Sequence, residues 1–442
     1  MAFDRVLIIT YLFPPSGGVG VSRFVSYARY LPLHNCQPFI LTARNPATPT
    51  FDYDLAKKVP PDTEIFRAFN PGISYGTRDR LWKSILDGTS GDQTASRHKS
   101  QPAPWKAPAK RAIERIFCPD VQIIWIPFAI RSARRIVKRH KITTVLINLP
   151  PYSCLKIAGS IKHDFPHIKL ILDFRDEWIE NYLTQFDSAR TDFKLRLAVE
   201  LEQKAVESAD FVTAVTRSQL AQIRRRYLGQ PDAKFLYVPN GFDPTVYEKF
   251  GPRPPANGKL VITYFGTVYA NPNYRPLLNY LDAVDELPEQ LRTRIETRII
   301  GRVTREGAPF LSGRRHDIRQ FGFMSREAAL PYLQETSYNL IVSANLTTHG
   351  GKLFEYLAMP KPILALCPLE GELAQVICQT RTGRCVNNDD LSGIRELLLS
   401  MFDSSGNPIT PEFHPDREAI REYEWPNLVA RLARLTGIGA GN

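Results

Sequence analysis

The sequence predicts two α/β domains, each built on a doubly wound parallel sheet. Strand-like and helix-like segments alternate along almost all of the 442 residues, which is the pattern of repeated βαβ units. A proline- and glycine-rich stretch, GPRPPANG at 251–258, interrupts this alternation and is typical of a linker. A chain of this length is also too long for one ordinary core.

Apolar runs closed by glycine, proline or asparagine define the predicted strands, and 3.6-residue periodicity defines the helices. In the first domain, strands are predicted at 5–10, 38–42, 143–148, 168–173, 211–215 and 235–238, and helices at 17–31, 128–139, from 153 and at 193–208. In the second, strands are predicted at 260–265, 294–300, 338–343 and 362–366, and helices at 325–334, from 351, at 370–379 and at 391–402.

These elements predict an N-terminal domain over 1–245, a C-terminal domain over 246–415 and a final amphipathic helical segment over 416–442. Residues 70–118 are rich in Pro, Gly, Ser and Lys, which predicts an irregular, basic insertion in the first domain. The composition, 43% hydrophobic and 23% charged, is typical of a soluble enzyme, and no apolar run approaches the roughly 20 residues of a membrane span. The six scattered cysteines lack CxxC spacing, which favours reduced thiols in a cytoplasmic protein.

A glycine loop, Gly17-Gly18-Val19-Gly20, separates the first strand from the first helix. Glycines let a phosphate approach the backbone, and a helix N-terminus offers N–H donors and a positive dipole. The loop lacks the third glycine of a dinucleotide fingerprint, and no carboxylate ends the next strand, which disfavours NAD. The loop therefore indicates another phosphate ligand, with a ligand-free tight turn as the alternative.

Four charged residues and a tryptophan cluster at the end of the strand at 168–173, in the sequence DFRDEW. Ligands bind at the carboxyl ends of strands in doubly wound sheets. We therefore predict an acceptor site here that includes Asp173 and Trp178, with a potential base among the carboxylates. A purely structural Arg–Asp pair is the alternative.

Two glycines precede a helix in the sequence HGGKLFEYLAMPKP, which begins at His349. Lys352 in the first helical turn opposes the helix dipole, a local cost that a bound anion would offset. Lys352 and Glu355 are three residues apart and share one helix face, while the apolar residues between them would pack inward. An anion site is therefore predicted here, with a plain Lys–Glu surface pair as the alternative.

Seven motifs, in order, carry a resemblance to a known family: YLFPPSGGVG, LPPYS, DFRDEW, ADFVTAVT, VPNGFD, YFGTVY and GGKLFEYLAMPKPILA. They resemble the GT-B glycosyltransferases, and specifically the family 4-like branch, over almost the whole chain. The resemblance implies two Rossmann-like domains facing across a cleft, with the acceptor in the first and a nucleotide sugar held mainly by the second. It also implies transfer with retention at the anomeric carbon, no required metal or other cofactor, and a C-terminal helix around Trp425 that crosses back to the first domain.

The resemblance also implies roles for individual residues. Gly350, Gly351 and Lys352 would bind the donor diphosphate and Glu355 its ribose, while Lys352, Arg175 and Asp176 would be catalytic. The glycine-loop residues would touch the same diphosphate, and two residues after the first strand of the second domain would line the donor pocket; these five are Gly17, Gly18, Gly20, Gly266 and Thr267. Relatives often carry a second glutamate eight positions before Glu355, where this chain has Thr347, so the identity of the sugar does not transfer.

The predicted function is transfer of a sugar from a UDP- or GDP-sugar, with UDP favoured, to a glycan, lipid-linked or small-molecule hydroxyl. Cell-envelope or exopolysaccharide assembly is the predicted setting. Two alternatives stay open. A sugar-nucleotide epimerase of the same fold would convert its donor without an acceptor, and a non-catalytic scaffold would bind nucleotide sugars without turnover.

The net charge of +12 is unevenly distributed along the chain. Twelve basic residues and two acidic ones lie between Arg97 and Lys141, interleaved with Trp105, Ile113, Phe117 and Trp125. Basic residues beside aromatic ones favour an anionic membrane surface, which would place the protein at the inner face of the cytoplasmic membrane. The alternative is a solvated helix face. The chain lacks nucleic-acid-binding motifs, which disfavours a nucleic-acid partner.

Overall fold

The computed structural model describes residues 3–48, 51–72, 117–180, 192–248, 250–251, 253, 255, 258–269, 275–410 and 412–440. Within these residues the chain forms two compact units. Unit 1 comprises Met1–Val215, Gln219–Val238 and Val429–Asn442, and unit 2 comprises Thr216–Ser218 and Pro239–Leu428. Most of the predicted basic insertion, 73–116, lies outside the described residues.

Unit 1 contains a seven-stranded parallel sheet in the order β3-β2-β1-β4-β5-β6-β7. Its strands are β1 Asp4–Ile9, β2 Cys36–Ala43, β3 Glu64–Ala68, β4 Thr144–Leu149, β5 Lys169–Phe174, β6 Phe211–Ala214 and β7 Phe235–Tyr237. Its helices are α1 Val19–Tyr30, α2 Tyr53–Lys57, α3 Ile126–His140, α4 Leu155–Asp164, α5 Asp192–Ser208 and α6 Arg217–Arg226. The strand order reverses between β1 and β4, and such a switch point is where doubly wound sheets form a crevice.

Unit 2 repeats this plan with a six-stranded parallel sheet in the order β10-β9-β8-β11-β12-β13. Its strands are β8 Leu260–Phe265, β9 Ile295–Ile300, β10 Asp317–Gly322, β11 Tyr338–Val342, β12 Ile363–Leu366 and β13 Gly383–Val386. The switch point lies between β8 and β11. The chain between β7 and β8 holds α7, Pro244–Tyr247.

The helices that follow α7 are short, and they lie between the strands of unit 2 or after its last strand. They are α8 Arg275–Asp285, α9 Glu289–Arg292, α10 Arg326–Gln334, α11 Lys352–Ala358, α12 Glu372–Thr380, α13 Leu391–Leu399, α14 Arg417–Arg421 and α15 Trp425–Thr436. In α15, Val429 onward belongs to unit 1.

The central strands lie in the middle of each core because they are buried on both faces. All six residues of β4 and of β8 are buried. In unit 2 the sheet has an apolar cluster on each face, one centred on α8 and α13 and the other on α11 and α12. This packing fixes the strand ends, so the loops that leave their carboxyl ends have defined positions. None of the described helices is long and apolar enough to cross a membrane.

Candidate functional site

The glycine loop of unit 1 follows β1 and opens α1 at the switch point of the sheet. Gly18 is the N-cap of α1, with a φ of 118° that favours glycine, and no side chain caps the helix. The first turn also carries no acidic residue. The first N–H groups of a helix lack intrahelical partners, so this loop presents donors and a positive dipole without a built-in anion.

Arg175 lies directly over this loop. A Cβ added to Gly20 would come within 1.5 Å of Nη1 of Arg175, so glycine is required for the guanidinium to occupy this position. Nε of Arg175 donates to Oδ1 of Asn148 over 2.7 Å, and Nδ2 of Asn148 donates to Oγ1 of Thr10 over 2.9 Å. These hydrogen bonds hold Nε of the Arg175 guanidinium in place, and the two terminal nitrogens face the glycine loop.

The charge of Arg175 is only weakly compensated. Burial lowers its pKa, and the nearby Arg23 lowers it further, while Asp176 and Asp173 oppose that shift. Within the described chain no carboxylate lies within ion-pair distance of Arg175. The half-buried guanidinium of Arg175 faces the positive end of α1 and is repelled by it, and a bound anion would remove that repulsion.

A cavity of about 380 Å³ opens in front of these groups. It is lined by Tyr11, Leu12, Gly17, Gly18, Gly20, Val21, Asp120, Gln122, Asn148, Pro150, Pro151, Tyr152 and Arg175. Asp120 accepts from the backbone N–H and from Oγ of Ser153, over 2.9 and 2.7 Å, and burial raises its pKa. Asp120 therefore fixes the loop after β4, on which Tyr152 presents its ring to the cavity.

The remaining residues of the DFRDEW segment do not line this cavity. Asp173 is fully buried and accepts from Arg23, and Trp178 is buried with its ring stacked on Tyr152 at 4.5 Å and 3°. Asp176 is exposed, and its carbonyl accepts from the hydroxyl of Tyr152 over 3.0 Å. The acceptor-side roles of Asp173 and Trp178 stay predictions, and their burial favours a supporting position behind Arg175 and Tyr152.

In unit 2 the segment after β11 places Lys352 at the start of α11. Gly350 has a φ of 66°, and Gly351 is the N-cap without a side-chain cap. Nζ of Lys352 lies 3.8 Å from the centre of the Phe265 ring, at the end of β8. Burial lowers the pKa of Lys352 to about 8, and the nearby Arg326 contributes to the shift. The ammonium is thus held by an aromatic face and lies near a second cation.

Glu355 is buried, and its partners lie outside α11. Its carboxylate accepts from the hydroxyl of Tyr247 and pairs with Nη2 of Arg326 at 2.5 Å. The sequence alternative of a Lys–Glu surface pair is therefore not what the structure contains. Arg326 and Tyr247 were not identified from the sequence, because they lie 29 and 108 positions away and carry no local signal. The ribose-binding role of Glu355 stays a prediction.

The other predicted donor residues lie at carboxyl ends of strands in unit 2. Gly266 follows β8, and its N–H donates to the Ile300 carbonyl over 2.9 Å. The carbonyl oxygen of Gly266 lies so near Gly301 that a Cβ added to Gly301 would meet it at 2.0 Å. The carbonyl of Thr267 accepts from the Tyr264 hydroxyl over 3.3 Å. Thr347, on the loop after β11, donates to Oδ1 of Asn345 through its N–H and its hydroxyl, over 2.7 and 2.9 Å.

Comparison with known proteins shows a likeness in fold. No protein-family model and no curated sequence matches the chain. The Anabaena protein HepE, in complex with UDP and glucose, matches with a TM-score of 0.61 and 11% identity, over 98% of this chain and 99% of that one. A glycosyltransferase from Rickettsia africae ESF-5 matches with a TM-score of 0.58 and 13% identity, over 100% and 99%. The lipopolysaccharide outer core galactosyltransferase WaaB matches with a TM-score of 0.59 and 10% identity, over 98% of both chains.

These matches confirm the predicted fold class. Two parallel doubly wound α/β sheets, of seven and six strands, are the architecture of the GT-B glycosyltransferases. Identities of this size establish the fold and leave the family 4-like branch as a prediction from the motifs. The function therefore has to be argued from the site.

Proposed function

We propose that the protein is a retaining glycosyltransferase that moves a sugar from a UDP-sugar to an acceptor hydroxyl, in the assembly of a cell-envelope or other glycoconjugate. The observation that carries this proposal is Lys352, a half-buried lysine at an uncapped helix start with no acidic partner of its own on α11. The family 4-like branch and retention at the anomeric carbon rest on the sequence motifs.

Lys352 is suited to a diphosphate leaving group. As the sugar departs, negative charge develops on the diphosphate, and a positioned ammonium together with backbone N–H groups stabilises that charge. Gly350 and Gly351 have no side chains, so a phosphate can come close to the backbone at the N-terminus of α11. These groups supply the positive charge that a metal ion supplies in other enzymes, so we propose that no metal is required.

UDP is the proposed nucleotide because solved proteins of this fold hold it. HepE was crystallised with UDP and with UDP-glucose, and the S. aureus protein TarM was crystallised with UDP, fondaparinux and α-GlcNAc-glycerol. For this chain we propose that Gly266, Thr267 and Glu355 belong to the donor site. We propose a glycan, lipid-linked or small-molecule acceptor.

Unit 1 contributes the second half of the chemistry in this proposal. The glycine loop and Arg175 offer donors to an anionic oxygen, either of the donor phosphate or of the acceptor. Asp176 follows Arg175 and is exposed, so it is available to take up the acceptor proton. The Tyr152 ring forms one wall of the cavity at the same loop cluster, where an apolar sugar face could pack.

A donor panel tests the proposal on the full-length chain. Calorimetry with UDP and GDP measures nucleotide binding, and UDP-glucose, UDP-galactose, UDP-N-acetylglucosamine and GDP-mannose are each followed for nucleotide release with and without chelator. We expect UDP binding and slow, chelator-insensitive hydrolysis of one donor. Once an acceptor is found, NMR of the product reports retention or inversion.

The alternatives give different results in the same panel. An epimerase would convert a UDP-sugar into its epimer without an acceptor and without releasing free sugar. A non-catalytic scaffold would bind nucleotide and turn over no donor. If the protein bound neither UDP nor GDP, the proposal would be overturned.

A further inference from the structure

Helix α3 of unit 1 has a strongly cationic outer face. Its sequence, IPFAIRSARRIVKRH, contains no acidic residue. Five basic residues recur at spacings of three and four, which places them on one side of the helix. These residues, called the cationic face below, are Arg131, Arg134, Arg135, Lys138 and Arg139, and all five are exposed.

The opposite side of α3 fixes the direction of this face. Ala129, Ala133, Ile136 and Val137 are buried against the sheet of unit 1, so the helix cannot rotate without exposing core. The cationic face therefore points outward along the whole helix, which is about 22 Å long at 1.5 Å per residue.

The charge of the cationic face is largely uncompensated. Arg134 pairs with Asp164, while the other four have no carboxylate within ion-pair distance in the described chain. Lys138 lies 5.9 Å from the centre of the Phe165 ring. A surface helix that serves only solubility commonly mixes both charge signs, so the one-sided charge calls for a polyanionic surface as partner.

Apolar rings flank the N-terminal end of this face. Phe128 lies three residues before Arg131 on the same side and is 39% exposed, and Phe69 is 54% exposed. Their rings meet edge to face, with centroids 5.0 Å apart. Together they form an exposed apolar patch next to the first arginine.

The C-terminal end of the face opens onto a further cationic cavity of about 530 Å³, at the amino edge of the sheet. Lys138, Lys141, Lys169 and His167 contribute to its lining. Asp4 is the one acidic group among the described lining residues, and its carboxylate accepts from Thr143 and from the Gly439 N–H. Three lysines therefore face one carboxylate in this cavity, a balance of charge that favours an anion such as a phosphate.

We propose that the cationic face of α3 docks unit 1 on an anionic phospholipid bilayer. Lysines and arginines attract anionic headgroups, and the Phe69–Phe128 patch enters the interfacial region beside them. The patch favours a bilayer over a nucleic acid, because exposed apolar rings beside basic residues enter the interfacial region of a membrane, and the sequence lacks the motifs of nucleic-acid-binding modules. The proposal goes beyond the transferase function and does not rest on it, since binding requires neither donor nor acceptor.

Vesicle co-sedimentation of the full chain tests the proposal. The vesicles are pure phosphatidylcholine or equimolar phosphatidylcholine and phosphatidylglycerol, at about 0.05 and about 0.5 M salt. We expect binding to the anionic vesicles that weakens at high salt. Each basic residue near such a surface is worth roughly a fivefold change in partitioning, so Arg131→Glu/Arg135→Glu/Arg139→Glu should weaken binding by about 100-fold or more.

The matched control is Arg225→Glu/Arg315→Glu/Arg395→Glu. It makes the same change in net charge at three exposed arginines outside α3, and we expect it to bind within a few fold of wild type. Circular dichroism and the UDP affinity of both variants establish that the fold and donor site are intact. Arg131→Lys/Arg135→Lys/Arg139→Lys should also retain binding, since it keeps the charge.

Three outcomes would overturn the proposal. They are equal binding to neutral and anionic vesicles, equal losses in the two glutamate variants, and tighter binding to duplex DNA or heparin than to the anionic vesicles at the same salt. Loss of vesicle binding with UDP binding preserved supports docking as a property separate from donor recognition.

Discussion

Arg23 on α1 and Asp173 on β5 form a two-point ion pair in the interior of unit 1. Nε of Arg23 donates to Oδ2 of Asp173 over 2.8 Å, and Nη2 donates to Oδ1 over 2.9 Å, with both side chains shielded from solvent. Oγ1 of Thr213 donates to the same carboxylate over 2.6 Å, and Nη2 of Arg23 donates to the Val238 carbonyl over 3.0 Å. Because α1 begins at the glycine loop and Arg175 follows β5, this pair joins the two elements that carry the unit 1 site.

Removing one partner of this pair should be costly. Asp173→Asn leaves the guanidinium of Arg23 buried without its counter-charge, and we expect a loss of about 3–5 kcal/mol in the free energy of unfolding. The double variant Arg23→Met/Asp173→Leu removes both charges and should lose less than the sum of the single variants. Urea unfolding of the wild type, Arg23→Met, Asp173→Leu and the double variant measures the coupling. Additive losses would show that the two side chains do not act as a pair.

Lys352 should matter for turnover more than for folding. Lys352→Ala removes the ammonium next to the proposed diphosphate, and we expect kcat to fall by about 10²–10³ on the electrostatic argument for leaving-group stabilisation. Donor turnover at saturating UDP-sugar measures this effect. Lys259→Ala is the control, since Lys259 pairs with Asp317 and lies at the amino end of β8. An unchanged kcat in Lys352→Ala would remove Lys352 from the mechanism.

UDP affinity should depend on pH through Lys352. Its pKa in the ligand-free protein is lowered to about 8, and a bound diphosphate favours the protonated form and raises that pKa. Affinity is therefore full below about pH 8 and is lost as the pH rises, by about tenfold between pH 7 and pH 9. Calorimetry in two buffers of different ionisation enthalpy should show proton uptake on binding near pH 9. Lys352→Arg should flatten the profile, and a flat wild-type profile would contradict the assignment.

The strands that the sequence did not predict are all at sheet edges. β3, β10 and β13 are three of the four outer strands in the two described sheets. The fourth, β7, was predicted, and all three of its residues are buried. The residues of β3, β10 and β13 are mostly exposed or half-buried. An outer strand has only one neighbouring strand, and the helices cover its faces only in part. An apolar run marks a strand that is buried on both faces, so central strands were predictable and these edge strands were not.

The candidate site shows a similar division between local and distant signals. The glycine loop and Arg175 were identified from their own motifs, since each lies at a strand end. Asn148 anchors Arg175, and Tyr152 lines the cavity. Asn148 directly precedes the LPPYS motif and Tyr152 lies within it, but neither belongs to a pattern that indicates a particular chemistry. Their importance follows from β4 pairing with both β1 and β5, a register that one sequence does not reveal.

Replacing Gly20 with alanine should leave the fold intact but reduce activity. Gly20 lies in the first turn of α1, where alanine suits the backbone, yet its Cβ would come within 1.5 Å of Nη1 of Arg175. The guanidinium would have to move and give up its present position over the loop. We expect Gly20→Ala to keep its thermal unfolding temperature within a few degrees while kcat/KM falls at least about tenfold.

Gly159→Ala provides the matched control for this substitution. Gly159 lies inside α4, and an added Cβ there has no atom within 4 Å in the described chain. Alanine should therefore stabilise the helix by about 0.5–1 kcal/mol and leave kcat/KM unchanged. If Gly20→Ala retained wild-type kcat/KM, the position of Arg175 over the glycine loop would have no role in the reaction. If its unfolding temperature fell steeply instead, the close approach would be a packing requirement of unit 1.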